Sequence, residues 1–208
     1  MPINVFNEIC YYKFNKQYVG KFFENKSYGC NDKIDDQMVC RGNGIVSVSD
    51  NVLCLSGSQP RVYISGFSNC EITFDYKYET LGESYAGCTI GVGLDEHRTG
   101  ATNPCNTMYL RIRKDGYIDC EKEILHPASC VIKKSPYKLL PNVWNTIKYI
   151  FVNNKFQVFM KVDDVFIKIF ECIDIINPFA SSINNFIIIR STNSKVFYKR
   201  IHVNQIII

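Results

Sequence analysis

Three acidic residues alternate along the segment Asp119-Cys120-Glu121-Lys122-Glu123. Successive side chains of a β-strand point to opposite faces, so a strand here would carry all three carboxyl groups on one face. Glycoside hydrolysis uses two such groups, one as general acid and the other as nucleophile or base. A row of like charges is also typical of a solvent-exposed edge strand, where it prevents pairing with another chain. Glycan cleavage and an exposed edge are both open for this segment, and we assign no catalytic residue.

The histidines and acidic pairs do not predict a metal centre. His97, His126 and His202 are far apart in sequence, and none belongs to a His-x-x-x-His arrangement that would bring two imidazoles to one metal ion. The pair Asp163-Asp164 offers two of the oxygen ligands that Ca²⁺ prefers. Two such residues between apolar runs are also typical of a hairpin turn. We therefore expect no cofactor and leave calcium open as the alternative.

The chain is rich in cysteine, with ten residues of this type, but it contains no Cys-x-x-Cys pair. Zinc ribbons and thioredoxin-like redox sites both need two sulfurs brought together by one tight turn, so neither is expected. Several cysteines lie inside apolar runs, such as Leu53-Cys54-Leu55, where a free thiol behaves as a small apolar side chain. We expect free thiols, which suit assembly in a reducing cytosol. Disulfides are the alternative if the protein acts outside a cell.

A second group of polar residues is suited to binding rather than cleavage. Planar donors and acceptors beside an aromatic ring can recognise a neutral or an acidic glycan. The candidate ligand-binding residues lie on two alternating runs and are Asp75, Lys77, Tyr109, Arg111 and Arg113. The alternative is an ordinary solvated sheet face.

The single tryptophan, Trp144, has two possible roles. A flat indole ring can stack on the apolar face of a sugar. Its position at the start of a strand, directly after Pro141-Asn142-Val143, favours an anchor in the core.

The elements that must carry these residues are β-strands. The run Cys70–Glu79 alternates, with Ile72, Phe74, Tyr76 and Tyr78 on one face, which predicts a strand with one wet face. From Val143 to Val203 short apolar runs are separated by three turn pairs, Asn153-Asn154, Asp163-Asp164 and Asn193-Ser194. This spacing predicts an antiparallel meander.

Further turns complete an all-β pattern without helical periodicity. Asp50-Asn51 and Asp115-Gly116 are typical hairpin turns. We expect separate strands over Val52–Leu55 and Arg61–Ser65, on either side of Pro60. Roughly ten strands at this spacing indicate a sandwich.

Length and charge limit the other possibilities. The chain has 208 residues and a formal net charge of +4, with basic residues too dispersed for phosphate tracking, so no nucleic-acid partner is expected. No apolar run approaches the roughly 20 residues of a membrane span, and the first residues lack the pattern of a secretory signal. We expect a soluble single domain: an N-terminal strand and Cys-containing loop region over 1–43, packed on a sandwich over 44–208.

The order of these pieces resembles that of a known superfamily. The relevant segments are an opening hairpin, an alternating strand, a Trp-led strand before the Asn-Asn turn, and a closing strand: Val46–Gly57, Asn69–Tyr78, Trp144–Tyr149 and Val196–Val203. In this order they resemble the concanavalin A-like lectin/glucanase superfamily, especially its laminin-G-like modules, over roughly 44–203. The resemblance implies an antiparallel two-sheet β-sandwich of jelly-roll type. Members of the superfamily commonly bind carbohydrate on the concave face or in edge loops, and some cleave polysaccharides.

The resemblance implies binding more than catalysis. The superfamily's glucanases carry a Glu-x-Asp-x-x-Glu strand, from which Asp119–Glu123 departs in order and spacing. We therefore expect a non-catalytic carbohydrate-binding or attachment module, as in a surface adhesin or a virus or phage tail structural protein. It would bind a glycan and form a homo-oligomer or a larger surface or virion assembly, either in the cytoplasm or built into that structure. A diverged glycoside hydrolase or lyase and a purely structural oligomerisation module are the alternatives.

Overall fold

The computed structural model describes residues 13–20, 22, 24–67, 69–80, 87–92, 107–113, 115–125, 128–153, 155–173 and 185–208. Within these ranges the chain forms fourteen β-strands and no helix. The strands are β1 (Lys13–Val19), β2 (Lys26–Tyr28), β3 (Met38–Ser49), β4 (Val52–Ser65), β5 (Cys70–Thr80), β6 (Gly87–Val92), β7 (Thr107–Ile112), β8 (Tyr117–Leu125), β9 (Ala128–Lys138), β10 (Asn145–Val152), β11 (Lys155–Val162), β12 (Val165–Ile173), β13 (Asn185–Arg190) and β14 (Ser194–Ile207). The predicted all-β class is confirmed.

The strands form a jelly roll with two facing layers. Their order is β12-β11-β10-β5-β14-β4-β13-β6-β7-β8-β9, while β3 borders β4, β2 borders β3, and β1 borders β14. The ends of this path meet, because β12 also lies against β9. Tyr78 on β5 donates its hydroxyl to the carbonyl of Leu139, directly after β9, at 2.9 Å. Strands far apart on the path therefore face each other across the core.

β4 connects the two layers. Its first part pairs with β14 through Gly57, and its last part pairs with β13 from Arg61 onward. The predicted break at Pro60 is wrong, since one strand runs through it. Proline cannot donate to a β-ladder, and Pro60 lies where β4 exchanges one neighbour for the other. Its carbonyl still accepts a hydrogen bond from the backbone of Ser191 at 3.1 Å.

The predicted turns hold better than the predicted strand order. Both residues of Asp50-Asn51 and of Asp163-Asp164 have positive φ, as two-residue hairpin turns of type I′ require. The meander is confirmed for β10, β11 and β12, which are consecutive neighbours. It is wrong for β13 and β14, because each pairs with a different part of β4. Asn193 does have positive φ, but its turn leads from one layer into the other.

The core contains the predicted inner face of β5. Ile72, Phe74, Tyr76 and Tyr78 are all buried. Their rings meet those of the neighbouring strands: Phe74 lies 5.5 Å from Tyr198, and Tyr76 lies 5.3 Å from the same ring. Edge-on aromatic pairs of this kind stabilise by about 1 kcal/mol beyond the area they bury. Because this face is held inside, the alternate residues of β5 must point outward.

The N-terminal region is part of the same β-structure. β1 pairs with β14, and β2 pairs with β3. The predicted boundary between 43 and 44 falls inside β3, at a bulge between Asn43 and Ile45. A division into 1–43 and 44–208 stays a prediction. Among the described residues, no helix is long and apolar enough to cross a membrane.

Candidate ligand-binding site

A cavity of about 320 Å³ lies beside the turn that joins β7 to β8. Its size is near the lower end of ligand-binding pockets. It combines guanidinium, carboxylate, phenol and hydroxyl groups, contributed by Arg113, Asp115, Tyr117, Asp119 and Ser135. Such a set can recognise a small ligand with several hydroxyl groups.

Gly116 determines the shape of the turn at this cavity. Its φ is +83°, and a Cβ there would lie 2.4 Å from the carbonyl oxygen of Leu139. The backbone N–H of Gly116 donates to Arg113 at 2.8 Å, and that of Arg113 donates to Tyr117 at 2.9 Å. Only glycine fits this conformation and this close approach. The Asp115-Gly116 turn was predicted, and it positions three of the cavity residues.

Asp119 is the buried charge of the cavity. Its side chain is fully buried, and its Oδ2 accepts a hydrogen bond from Nη1 of Arg113 at 3.1 Å, while the Arg113 side chain stays 37% exposed. β8 is also an inner strand, paired with both β7 and β9. The exposed-edge interpretation of this segment is therefore wrong at Asp119. The side chains of Glu121 and Glu123 lie outside the described residues.

Tyr117 and Ser135 complete the cavity. Tyr117 is 41% exposed, and the ammonium of Lys138 lies 5.7 Å from the centroid of its ring. Ser135 is buried, and its Oγ accepts the backbone N–H of Tyr137 at 3.0 Å. A hydroxyl that accepts one bond can still donate another. The cavity thus offers an aromatic face beside charged and neutral polar groups.

The five predicted binding residues lie in two places. Arg113 lines the cavity. Tyr109 and Arg111 lie on neighbouring β7, where Arg111 pairs with Asp119 in register, but their side chains are outside the described residues. Asp75 and Lys77 lie on β5, and four strands separate β5 from β7 along the path. A ligand-binding role for all five stays a prediction.

Asp75 is closed off from solvent. It is 2% exposed, accepts the hydroxyl of Thr146 at 2.8 Å, and has both Nε and Nη2 of Arg200 against its Oδ2. This hydrogen bond raises the pKa of Arg200 above its usual value. Arg200 has a φ of +50° at a bulge between Lys199 and His202. The bulge places its guanidinium over the carboxylate.

Lys77 lies beside Trp144 on the outer face of the sheet. Its ammonium is 5.2 Å from the Trp144 ring centroid and 4.5 Å from that of Phe197. Trp144 is half-buried and does not belong to the buried core. The core-anchor interpretation of Trp144 is therefore wrong. The reason is tertiary, because the residue just precedes β10 and meets side chains of β5 and β14.

Several residues of both places escaped the sequence analysis. Asp115 belongs to the predicted turn and Tyr117 directly follows it, so this turn next to Arg113 was a usable signal. No local sequence signal pointed to Ser135, Phe197 or Arg200, since only strand pairing brings them to these places.

The described part of the chain contains neither a cluster of metal ligands nor a disulfide, and calcium stays an alternative. No group of three His, Cys, Asp or Glu side chains converges there. Asp164, at the predicted turn, lies 2.7 Å from the ammonium of Lys161, which does not fit a cation site. Cys30, Cys40, Cys54 and Cys70 have free thiols. Burial raises the pKa of Cys40 and of Cys70 to about 12, so these two are unreactive thiols.

Comparison with known proteins identifies similar folds. No protein-family model and no curated protein matches the sequence. Among solved structures, the carbohydrate binding module CBM66 from Bacillus subtilis has a TM-score of 0.60 at 12% identity, over 84% of this chain and 100% of that one. Lectin II from Ulex europaeus has a TM-score of 0.63 at 6% identity, over 92% and 99%.

The exoplasmic/lumenal domain of VIP36, in its Ca²⁺/Man-bound form, has a TM-score of 0.60 at 8% identity, over 83% of this chain and 84% of that one. At such identities these likenesses concern the fold alone. The chain has a jelly-roll fold of the concanavalin A-like type.

Proposed function

We propose that this chain is a carbohydrate-binding module that holds a sugar in the cavity beside the β7–β8 turn. The observation that carries the proposal is the lining of the cavity, where the exposed ring of Tyr117 lies beside the Arg113–Asp119 pair and Ser135. Sugar sites combine an aromatic face with convergent polar groups in this way. The structural likeness to lectins and to a carbohydrate binding module supports it.

Each group has a distinct part in the proposed site. The Tyr117 ring stacks on the apolar face of the sugar. Asp115 is exposed and accepts sugar hydroxyl groups, while its Oδ1 is steadied by the backbone N–H of Tyr117 at 3.1 Å. Arg113 is held by Asp119 and directs planar N–H donors into the cavity. No calcium is needed for these contacts.

The proposal is tested by a glycan array followed by titration of the best ligand. Tyr117→Ala should weaken binding about tenfold, because loss of stacking is worth roughly 1.4 kcal/mol. The matched control is Tyr137→Ala, since Tyr137 is also partly exposed on β9 but does not line the cavity. Unchanged affinity in Tyr117→Ala, or equal loss in both variants, would overturn the proposal.

We further propose a role in attachment, as in a surface adhesin or a virus or phage tail structural protein, on fold-level analogy. Free thiols at four described cysteines suit assembly in a reducing compartment. Gel filtration and light scattering test the oligomer that such a role implies. A stable ring or trimer without glycan binding would favour a purely structural module instead.

Cleavage of a polysaccharide is a second candidate, favoured by one observation. Asp115 and Asp119 both line the cavity, and hydrolysis uses two carboxyl groups. Release of reducing ends from a polysaccharide panel would establish it, provided that Asp119→Asn abolishes the release. Binding without release would leave the non-catalytic module.

A further inference from the structure

A second surface, separate from the cavity, alternates cations with aromatic rings. It lies on the outer face of β5 and β14 and beside the start of β10. The ammonium of Lys199 is 4.1 Å from the ring centroid of Trp144. Lys77 lies between Trp144 and Phe197, and Lys195 is 5.4 Å from the Phe197 ring. We call Lys199, Trp144, Lys77, Phe197 and Lys195 the cation–aromatic ladder.

The register of the β5–β14 pair brings the residues of the ladder together. Lys77 lies directly opposite Phe197 across the β5–β14 pair, and Lys199 lies opposite Asp75. The β14 bulge directs Arg200, rather than Lys199, onto the Asp75 carboxylate. Lys199 therefore lies over the Trp144 ring, although the Asp75 carboxylate is opposite it in the β5–β14 strand pair.

Lys77 and Lys199 of the ladder are not neutralised, unlike the other two cations of this region. Lys195 pairs with Glu79 at 2.6 Å, and Arg200 pairs with Asp75. Lys77 and Lys199 have no ion-pair partner among the described residues, and both lie over aromatic rings.

Three lysines on the neighbouring strands β10, β11 and β12 have carboxylate partners. Lys148 lies 4.1 Å from the Phe166 ring but also has Glu71 at 3.5 Å. Lys155 and Lys168 both pair with Glu171, at 3.2 and 3.0 Å. The two ammonium groups beside Trp144 therefore differ from these lysines of β10, β11 and β12, which have a carboxylate partner.

We propose that the ladder binds an acidic polysaccharide, with a carboxylate or sulfate group held between Lys77 and Lys199. Charge complementarity identifies the occupant, because two unneutralised ammonium groups favour an anion. The rings hold the lysines in place through cation–π contacts, so less side-chain freedom is lost on binding. The site does not depend on the cavity and extends the proposed function to acidic ligands.

The test compares two double variants that remove the same charge. Lys77→Gln/Lys199→Gln should weaken binding to dextran sulfate and alginate about tenfold or more, since two exposed ion contacts of roughly fivefold each are lost. Binding of the unmodified protein should weaken when the salt concentration is raised from about 50 mM to about 500 mM, because salt screens exposed charges. Lys148→Gln/Lys168→Gln is the matched control, and it should change affinity less than about twofold.

Three further measurements make the outcome decisive. Equal thermal melting of the two double variants excludes unfolding as the cause. Trp144→Leu should also weaken binding, without a change of charge. Tyr117→Ala should leave the acidic polymers bound while losing the cavity ligand, so the two proposals fail separately.

Equal losses in both double variants would indicate net charge alone and overturn the ladder. Unchanged affinity in Lys77→Gln/Lys199→Gln would do the same. Binding to anionic lipid vesicles but to neither polymer would also overturn it, in favour of a membrane surface.

Discussion

Two buried aspartates differ in their surroundings: Asp119 lines a cavity, whereas Asp75 is covered by other side chains. Each is almost inaccessible and pairs with an arginine that is partly exposed. Asp119 belongs to a cavity beside the glycine turn of β7 and β8. Asp75 is covered by Arg200 and Thr146 on a sheet face. An aspartate–arginine ion pair therefore borders a cavity in one region and lies on a closed surface in the other.

The difference is caused by the backbone beside each pair. At Asp119, a positive-φ glycine turns the chain back and leaves a cavity. At Asp75, a bulge with positive φ at Arg200 brings the guanidinium over the carboxylate. Bulges redirect side chains in this way. The burial of a charged residue alone does not tell whether it can reach a ligand.

The largest expected effect tests the cavity side of this comparison. Gly116→Ala should destabilise the protein by about 3 kcal/mol, because it combines backbone strain with a clash against a carbonyl oxygen. Urea denaturation measures it. Gly29→Ala is the control, since its Cβ would lie 3.5 Å from the nearest atom, at an ordinary contact distance. If Gly116→Ala cost no more than Gly29→Ala, the turn would not hold the cavity.

The next effect tests the closed side. Arg200→Gln should cost about 2 kcal/mol, because it leaves the buried Asp75 carboxylate without its cation. Asp75→Asn should cost about 1 kcal/mol, since Arg200 is 69% exposed and regains water. The free energies of unfolding of Arg200→Gln and Asp75→Asn are compared by urea denaturation. Equal costs would show that Asp75 is not sealed as described.

A smaller effect isolates the second partner of Asp75. Thr146→Val removes the hydroxyl donor at nearly constant shape and should cost about 1 kcal/mol. Thr73→Val is the same chemical change on β5, the strand that pairs with β10, and no side-chain hydrogen bond of Thr73 is found within the described ranges. The same denaturation assay applies. A larger loss in Thr73→Val would mean that apolar packing, not the hydrogen bond, matters on this face.

The smallest effect concerns a third, more exposed carboxylate, Glu171. Burial opposes its charge, but hydrogen bonds from Gln157, Lys168 and Lys155 outweigh burial and hold its pKa at about 2. A lowered pKa in the folded state stabilises above the ordinary value near 4.5, and the contribution is lost as pH falls from there towards 2. Glu171→Gln should therefore flatten the pH dependence of unfolding in this window.

Denaturation at several pH values from 6 to about 2.5 measures this effect, which solvent exposure keeps modest. Asp164→Asn is the control, because Asp164 pairs with Lys161 while almost fully exposed. It should change the pH dependence less. An equal change in both variants would show that partial burial adds nothing to the Glu171 cluster.

Local patterns in the sequence predict much of the fold. Alternation on β5 correctly predicts which side chains enter the core, since successive residues of a strand point to opposite faces. Turn pairs such as Asp163-Asp164 correctly predict hairpins, because these residues tolerate positive φ. The same reasoning failed at Pro60 and at β13–β14, where a strand changes neighbours between layers. Strand pairing across layers leaves no local signal.

The residues of the candidate sites also fall into those that local sequence patterns indicate and those that only strand pairing brings together. Arg113 and its turn were accessible to sequence reasoning, because they lie within a few residues of each other. The position of Trp144 beside Lys77 and Lys199 was not, because the three residues come from parts of the chain that are far apart in sequence.

The sequence by itself determined the all-β class, the inner face of β5 and the hairpin turns, since alternation and positive φ are properties of neighbouring residues. The tertiary structure alone decided that Asp119 borders a cavity, that Asp75 is sealed, and that Trp144 lies between two lysines. The physical reason is that pairing and bulges between distant strands determine which outward side chains meet.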